Sequence, residues 1–221
     1  MFKAIFLDFY GTVVHEDDVY IEDICKRLLS SSSVSANPKE IGDYWWKSMS
    51  SNFKTSHGNH FKLQRELELE SLSDTIQYFR SSENPHEISD ILYEHWMRPE
   101  IFEDSKEFIK RNTIPIYVLS NIDRSDITSA IAYNNLEFNY IITSEDVRSY
   151  KPRPEMFERT LKDSGLNPNE VLHVGDSLTS DVSGANSMGI PVAWVNRKGR
   201  QIPEFVRPDY VITKLTELLT L

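Results

Sequence analysis

The sequence predicts an α/β fold, a doubly wound parallel sheet core carrying an all-helical insertion, and three features predict it. The stretches 4–7, 114–119 and 171–174 are predominantly apolar runs of the kind found in strands buried on both faces. Each run stops at polar residues, respectively Asp8, Ser120-Asn121 and Gly175-Asp176, and open α/β sheets gather their ligands at such strand tips. From about residue 114 onward, runs of this type alternate with helix-period segments, the order expected of a parallel sheet with helices on both faces.

The first strand lies within Lys3 to Phe9. Residues 15–99 hold no comparable run. Ile21, Ile24 and Leu28 mark an amphipathic helix that stops in Ser30 to Ser33 and Asn37-Pro38. Tyr44-Trp45-Trp46, a Leu63, Leu67 stretch with alternating Glu, and Ile88, Ile91 and Leu92 follow, so this segment reads as helices whose aromatics either pack a small core of their own, the favoured use, or line a substrate pocket. After the second strand, Ile127, Ala130 and Ile131 give a helix, and 140–143 a short strand. Phe157 and Leu161 give a helix opened by Pro154. Val182 and Ala185 mark a further helix; 192–195 and 210–212 are short strands; Leu215, Leu218 and Leu219 form a last helix with Thr213 as its N-cap. The expected domains are 1–14 with 100–221 for the core and 15–99 for the insertion.

Lys and Arg total 24 against 34 Asp and Glu, a formal charge of -10 over 221 residues. That balance disfavours nucleic acid and anionic membranes and suits a bound cation. Cys25 is the single cysteine, which excludes an internal disulfide and a Cys-rich zinc cage. No apolar run approaches the ~20 residues that cross a bilayer, and the first apolar tetrad is closed too soon by Asp8 for a signal peptide. The expectation is a cytoplasmic protein acting on a small molecule, with its oligomeric state open.

Asp8 ends a buried strand and is followed by Gly11 and Thr12; Asp176 repeats the arrangement, with Asp181 five residues on. Carboxylates brought together at strand tips repel one another unless a hard cation with oxygen ligands joins them, and Mg²⁺ suits that role. Ser120 and Asn121, ahead of a helix near Arg124 to Asp126, form a candidate anion-binding corner. Lys151, held out of helix by Pro152, is placed to aim an ammonium at a bound anion.

The ordered set D-F-Y-G-T at Asp8, S-N at Ser120, K-P at Lys151 and G-D-S-L-T-S-D from Gly175 to Asp181 resembles the haloacid dehalogenase superfamily over nearly the whole chain. The resemblance implies a Rossmann-like core with a helical cap between the first two motifs. Asp8 matches the nucleophile that becomes covalently modified. Gly11, Thr12, Ser120 and Asn121 match the phosphate-binding positions, and Lys151 the cation that neutralises the transferring group. Asp176 matches the acidic metal ligand, beside Asp8 and the backbone carbonyl of Tyr10, with Asp181 as the supporting carboxylate. The family reading is a Mg²⁺-dependent phosphohydrolase working through an aspartyl-phosphate.

Tyr10 departs from that pattern, since family phosphatases carry a second Asp there as general acid and base. A tyrosine at this place is similar to the metal-free 2-haloacid dehalogenases. Those enzymes, however, carry an uncharged residue where this chain has Asp176, and an Asn that is missing between Gly175 and Asp181. A dehalogenase would also expect a cap arginine for the halide, Arg27 or Arg65 by position. Phosphonate C–P cleavage would need a Schiff-base lysine among Lys39, Lys47, Lys54 and Lys62, and a binding module would keep the fold without turnover. His57 and His60 are candidate proton donors from the cap.

Overall fold

β1 (Ala4–Leu7) takes the middle of a six-stranded sheet in the computed structural model, which describes residues 2–204 and 206–221. The partners are β2 (Ile116–Ser120), β3 (Tyr140–Thr143), β4 (Val171–Gly175), β5 (Val192–Val195) and β6 (Tyr210–Ile212), in the order β3-β2-β1-β4-β5-β6. Every neighbouring pair is parallel, with Ile5 in register with Ile116 on one side and Leu172 on the other. This is an α/β, Rossmann-like sheet. Its strand order reverses between β1 and β4, so the crevice outside those two tips is where a ligand belongs. The apolar runs explain the centre: all residues of β1, β4 and β5 are buried. Phe6, Met156, Phe157, Val182, Ala185, Val192 and Trp194 lie in one apolar cluster.

The chain divides into two compact units, one of residues 1–16, 99–121 and 134–221, the other of 17–98 and 122–133. Helices of the first unit are α5 (Glu103–Arg111), α7 (Ser144–Val147), α8 (Glu155–Ser164) and α9 (Gly184–Ser187). Val182 lies two residues ahead of α9, in a π-helical segment, Leu178–Ser183, that runs into it. Pro154 caps α8 as its spacing suggests. The last helix differs from expectation. It is 3-10, Leu215–Thr220, and Thr213 is not its cap: the backbone N–H and hydroxyl of Thr213 both donate to Glu217 Oε1, at 2.8 and 3.1 Å. Val14 and Ile101 form an antiparallel bridge that zips together the two points where the chain leaves and re-enters the first unit.

The second unit contains α1 (Asp18–Ser30), α2 (Pro38–Thr55), α3 (Gln64–Tyr78), α4 (Pro85–Met97) and α6 (Arg124–Tyr133), with no strand among the described residues. Asn37 starts α2 through reciprocal bonds with Glu40, 3.0 Å from the Glu40 N–H and 2.8 Å back to its carboxylate, with Pro38 opening the first turn. Leu28, Ile41, Trp45, Leu67, Leu72, Ile88, Leu92 and Trp96 are buried. Trp46 is 67% exposed, so of the aromatic triplet only Trp45 is deeply buried. α6 lies between β2 and β3 in sequence yet packs on α4. Arg65 forks onto Asp126 and stacks over the Tyr93 ring at 4.4 Å, while Asp123 accepts the N–H groups of Gln64 and Arg65 at 2.7 and 3.0 Å.

Glu68 on α3 is the anomaly of this unit. It is buried, and Oε1 has no hydrogen-bond partner among the described residues. Burial, reinforced by Asp17, pushes its carboxyl up to about 8, against a bond from Trp45. A raised carboxyl favours the fold below its unfolded range, and that advantage is lost as pH rises toward 8. Glu68→Gln is therefore expected to raise the melting temperature at pH 8.5 by about 3 °C or more relative to wild type, with a smaller difference at pH 5. Thermal unfolding at the two pH values checks this, and an equal shift at both would remove the ionisation account.

Candidate active site

Asp8 follows β1 directly, and its N–H still bonds to Val174 O at 2.8 Å, so its backbone is an extension of the sheet. The chain then turns sharply: Val13 N–H donates to Phe9 O at 2.7 Å, and Gly11 sits at φ +81° with its N–H on Val14 O at 2.8 Å. That turn needs glycine on two grounds. The positive φ is costly for other residues, and a Cβ would lie 2.8 Å from the Asp176 carboxyl carbon and 3.0 Å from that of Glu16.

Lys151 is buried at 3% exposure, and its ammonium donates to Asp8 Oδ1 at 2.8 Å, Leu119 O at 2.8 Å and Asp181 Oδ1 at 2.7 Å. Those bonds engage all three protons. Its backbone is bracketed by one side chain: Asn121 Oδ1 accepts the Lys151 N–H at 2.7 Å and Asn121 Nδ2 donates to Lys151 O at 3.1 Å. Asp181 also accepts from Ser177 N–H at 3.0 Å and lies 3.0 Å from His173 Nε2. Burial lowers His173, and because a carboxylate only accepts, the contact with Asp181 requires the proton on Nε2. Asp176 is held at its carbonyl by Trp194 Nε1 at 2.7 Å and by Arg200 at 2.6 Å, with Arg200 also 3.2 Å from Oδ2.

The electrostatics follow from burial. Desolvation pushes Asp8 up to about 7, against the pull of Lys151 and with a further push from Asp181. Burial also leads in raising Asp176 well above the carboxylate range, with Glu16, Asp8 and Asp181 adding to it. For Asp181 burial is overcome by Lys151 and His173, which hold it low. Burial likewise opposes the Lys151 ammonium, but Asp181 and Asp8 keep it raised. Carboxylate oxygens of Asp8, Asp176 and Asp181 lie within 4.8 Å of one another. One buried ammonium cannot compensate three such groups, and the donors are all hard oxygens, so the cluster fits a divalent cation such as Mg²⁺.

All sequence-selected residues of the site lie in the first unit. Asp8, Lys151, Asp176 and Asp181 come together as one charged cluster. Ser120 is buried at the end of β2, and Tyr10 is half-buried with its ring edge-on to Phe9 at 5.2 Å. Thr12 and Asn121, expected at the phosphate, turn their side chains to the charged groups: the Thr12 hydroxyl donates to Asp8 Oδ2 at 3.0 Å, and Asn121 holds Lys151. His173, Glu16 and Arg200 were missed. His173 stands inside an apolar strand, where a lone polar residue was the available signal; Glu16 and Arg200 carry none.

A family model for haloacid dehalogenase-like hydrolases matches residues 2–189. The chain belongs to this family. It is a hydrolase by that membership. Among relatives, it is 33% identical over 136 residues to haloacid dehalogenase-like hydrolase domain-containing protein 3 of Danio rerio, covering 58% of this chain and 56% of that one. It is 24% identical to the pyrophosphatase PpaX of Bacillus mycoides, over 98% of this chain and 95% of that one. It is equally 24% identical to an (S)-2-haloacid dehalogenase of Pseudomonas fluorescens, over 97% and 93%. The solved L-2-haloacid dehalogenase of Xanthobacter autotrophicus superposes with a TM-score of 0.78 at 19% identity, over 100% and 98% of the two chains. No helix among the described residues is long and apolar enough to cross a membrane.

Gly175 supplies a direct test of the cluster. A Cβ there would lie 2.2 Å from the Asp181 carboxyl carbon, on a backbone with no positive φ, so the obstacle is purely steric. Gly175→Ala is expected to destabilise the fold by ~1–3 kcal/mol, as overpacking does, measured by urea unfolding. An unchanged midpoint would show that Asp181 can move aside without loss.

Proposed function

We propose that the chain is a Mg²⁺-dependent phosphohydrolase of small phosphorylated molecules, using Asp8 as nucleophile. The observation that carries this is Asp176, a buried carboxylate set against Asp8 and Asp181. In a metal-free site it would only oppose ionisation of the nucleophile. The pyrophosphatase relative supports phosphoryl chemistry. Asp8, Asp176 and the Tyr10 carbonyl would hold the ion, which when bound neutralises charge on the transferring phosphoryl group. Asp8 attacks phosphorus, the bond to the leaving oxygen breaks with its electron pair departing on that oxygen, and water then hydrolyses the aspartyl-phosphate. Lys151 and Thr12 fix the two Asp8 oxygens before attack, the preorganisation from which most of such a rate derives.

The second reading, a metal-free 2-haloacid dehalogenase, is favoured by Tyr10 and by the dehalogenase relative. Its halide would need a cap arginine: Arg65 is committed to the buried Asp126, whereas Arg27 holds only a half-exposed pair with Glu83 at 2.5 Å.

Tyr10 restricts the phosphohydrolase. A phenol with pKa near ~10 is a poor base at neutral pH, and the lost carboxyl is worth ~10²–10⁴ in rate on sluggish leaving groups. Phosphate release from an aryl phosphate is expected with Mg²⁺, to vanish with chelator, and to vanish in Asp8→Asn. Halide release from a 2-haloacid under chelator, with no phosphate release, would establish the other chemistry. Tyr10→Asp is expected to raise turnover of an alkyl phosphate tenfold or more; an unchanged rate in the folded variant would mean that another group supplies the proton.

A further inference from the structure

The segment following β5 reads Asn196-Arg197-Lys198-Gly199-Arg200, three cations in five residues of an acidic chain. It is a built loop. Asn196 closes it with its own side chain, accepting the Arg200 N–H at 2.8 Å and donating to Arg200 O at 2.9 Å, with Gly199 at φ +63° inside the turn. Arg197 anchors its start, forking onto Asp104 at 2.8 and 3.0 Å, donating to Thr12 O at 2.8 Å and covering the Phe102 ring at 3.8 Å. The nucleophile turn and the basic loop are thereby tied at Thr12.

With the loop so fixed, its other two cations are delivered to the acidic side of the site. Lys198 Nζ lies 2.6 Å from Glu16 and Arg200 reaches the carbonyl and carboxylate of Asp176. Glu16 and Asp176 both border Gly11, the turn that carries Asp8. Unlike Lys151, these side chains are open to solvent, 49% exposed for Lys198 and 41% for Arg200. Ion pairs at such exposure are weak and exchangeable, and a guanidinium takes the paired oxygens of a phosphate as readily as those of a carboxylate.

We propose that Lys198 and Arg200 form a second anion subsite that receives the leaving group, so that the substrate is a small phosphoanhydride rather than an alkyl ester. The proposal rests on the phosphohydrolase reading and removes its need for a general acid in the first step. With hydrogen diphosphate, HP₂O₇³⁻, Asp8 bonds to one phosphorus, the bridging P–O bond breaks, and the electron pair leaves on the bridging oxygen as HPO₄²⁻. That product already carries its proton, so the step draws none from Tyr10. Water then cleaves the aspartyl-phosphate to a second HPO₄²⁻, a regenerated carboxylate and H⁺. Lys151, with all its protons engaged by Asp8, Leu119 and Asp181, has no donor left for the second phosphate, which is why the loop must supply one.

The test compares inorganic diphosphate with an aryl phosphate, both with Mg²⁺, in wild type, Arg200→Gln and Lys198→Gln. The expected result is a fall of tenfold or more in the ratio of kcat/KM for diphosphate over aryl phosphate in Arg200→Gln, and a smaller fall in Lys198→Gln. Calorimetric titration with methylenediphosphonate, which has no cleavable bridge, is expected to show a matching loss of affinity, while orthophosphate binding changes less. Aryl phosphate turnover with a ratio that neither variant shifts by more than twofold would overturn the subsite alone. Absence of phosphate release from both substrates would overturn the phosphohydrolase reading and the proposal with it.

Discussion

A single buried ammonium, that of Lys151, sets the terms for the rest of the site. It lies between Asp8 and Asp181 with its third proton on the Leu119 carbonyl, and a charge so placed is tolerated only when every donor is matched. The surrounding sequence is arranged to match it. Asn121 grips the Lys151 backbone on both sides, Ser177 and His173 complete Asp181, and Gly175 leaves the space into which Asp181 fits. Breaking such a buried network by removing one partner typically costs ~3–5 kcal/mol, because the remaining charges lose their compensation. The network therefore joins stability to chemistry: the contacts that hold the fold at β1, β2 and β4 also fix the direction of the nucleophile.

What the buried network leaves to a solvent-open partner is as informative. Lys151 answers Asp8 and Asp181, and Asp176, the third carboxylate within 4.8 Å, is met only by the half-exposed Arg200 at 3.2 Å. Its backbone is pinned by Trp194 from β5, so it cannot withdraw from the cluster. The strand order places this excess negative charge at the switch point between β1 and β4, where parallel sheets take their ligands. Fold and electrostatics thus select the same crevice independently.

The sheet was legible because buried parallel strands write themselves as apolar runs closed by polar residues. The charged cluster was legible because three short motifs fall at those closings and a fourth, Lys151-Pro152, follows β3 after one short helix. What escaped was anything that depends on contact across the sequence. Residue type for Asn121 and the motif match for Thr12 place both at the phosphate, yet an amide and a hydroxyl serve equally well to orient a neighbouring lysine and carboxylate, and neither signal chooses between these uses. Arg200 reaches Asp176 from 24 positions away, and Lys198 reaches Glu16 from 182. Neither separation leaves a local pattern. α6 was readable as a helix from Ile127 and Ala130, but its union with the second unit rests on Asp123 and Asp126 meeting Gln64 and Arg65.

Tyr10 brings these threads together. In a site where Asp8 and Asp176 are already raised by burial and by neighbouring carboxylates, another carboxylate two residues from the nucleophile would add to the same excess. A phenol adds none at neutral pH and packs its ring on Phe9. The electrostatic relief comes with a loss of proton-transfer capacity, and in the first step that loss matters only for leaving groups that need a proton to depart. A substrate whose leaving group is a stable anion suits this balance, and an anion departing beside an acidic cluster needs cations in its path. The loop from Asn196 to Arg200 places two there. The departure at Tyr10 and the basic loop almost two hundred residues later are then one adaptation, to a leaving group that carries its own charge.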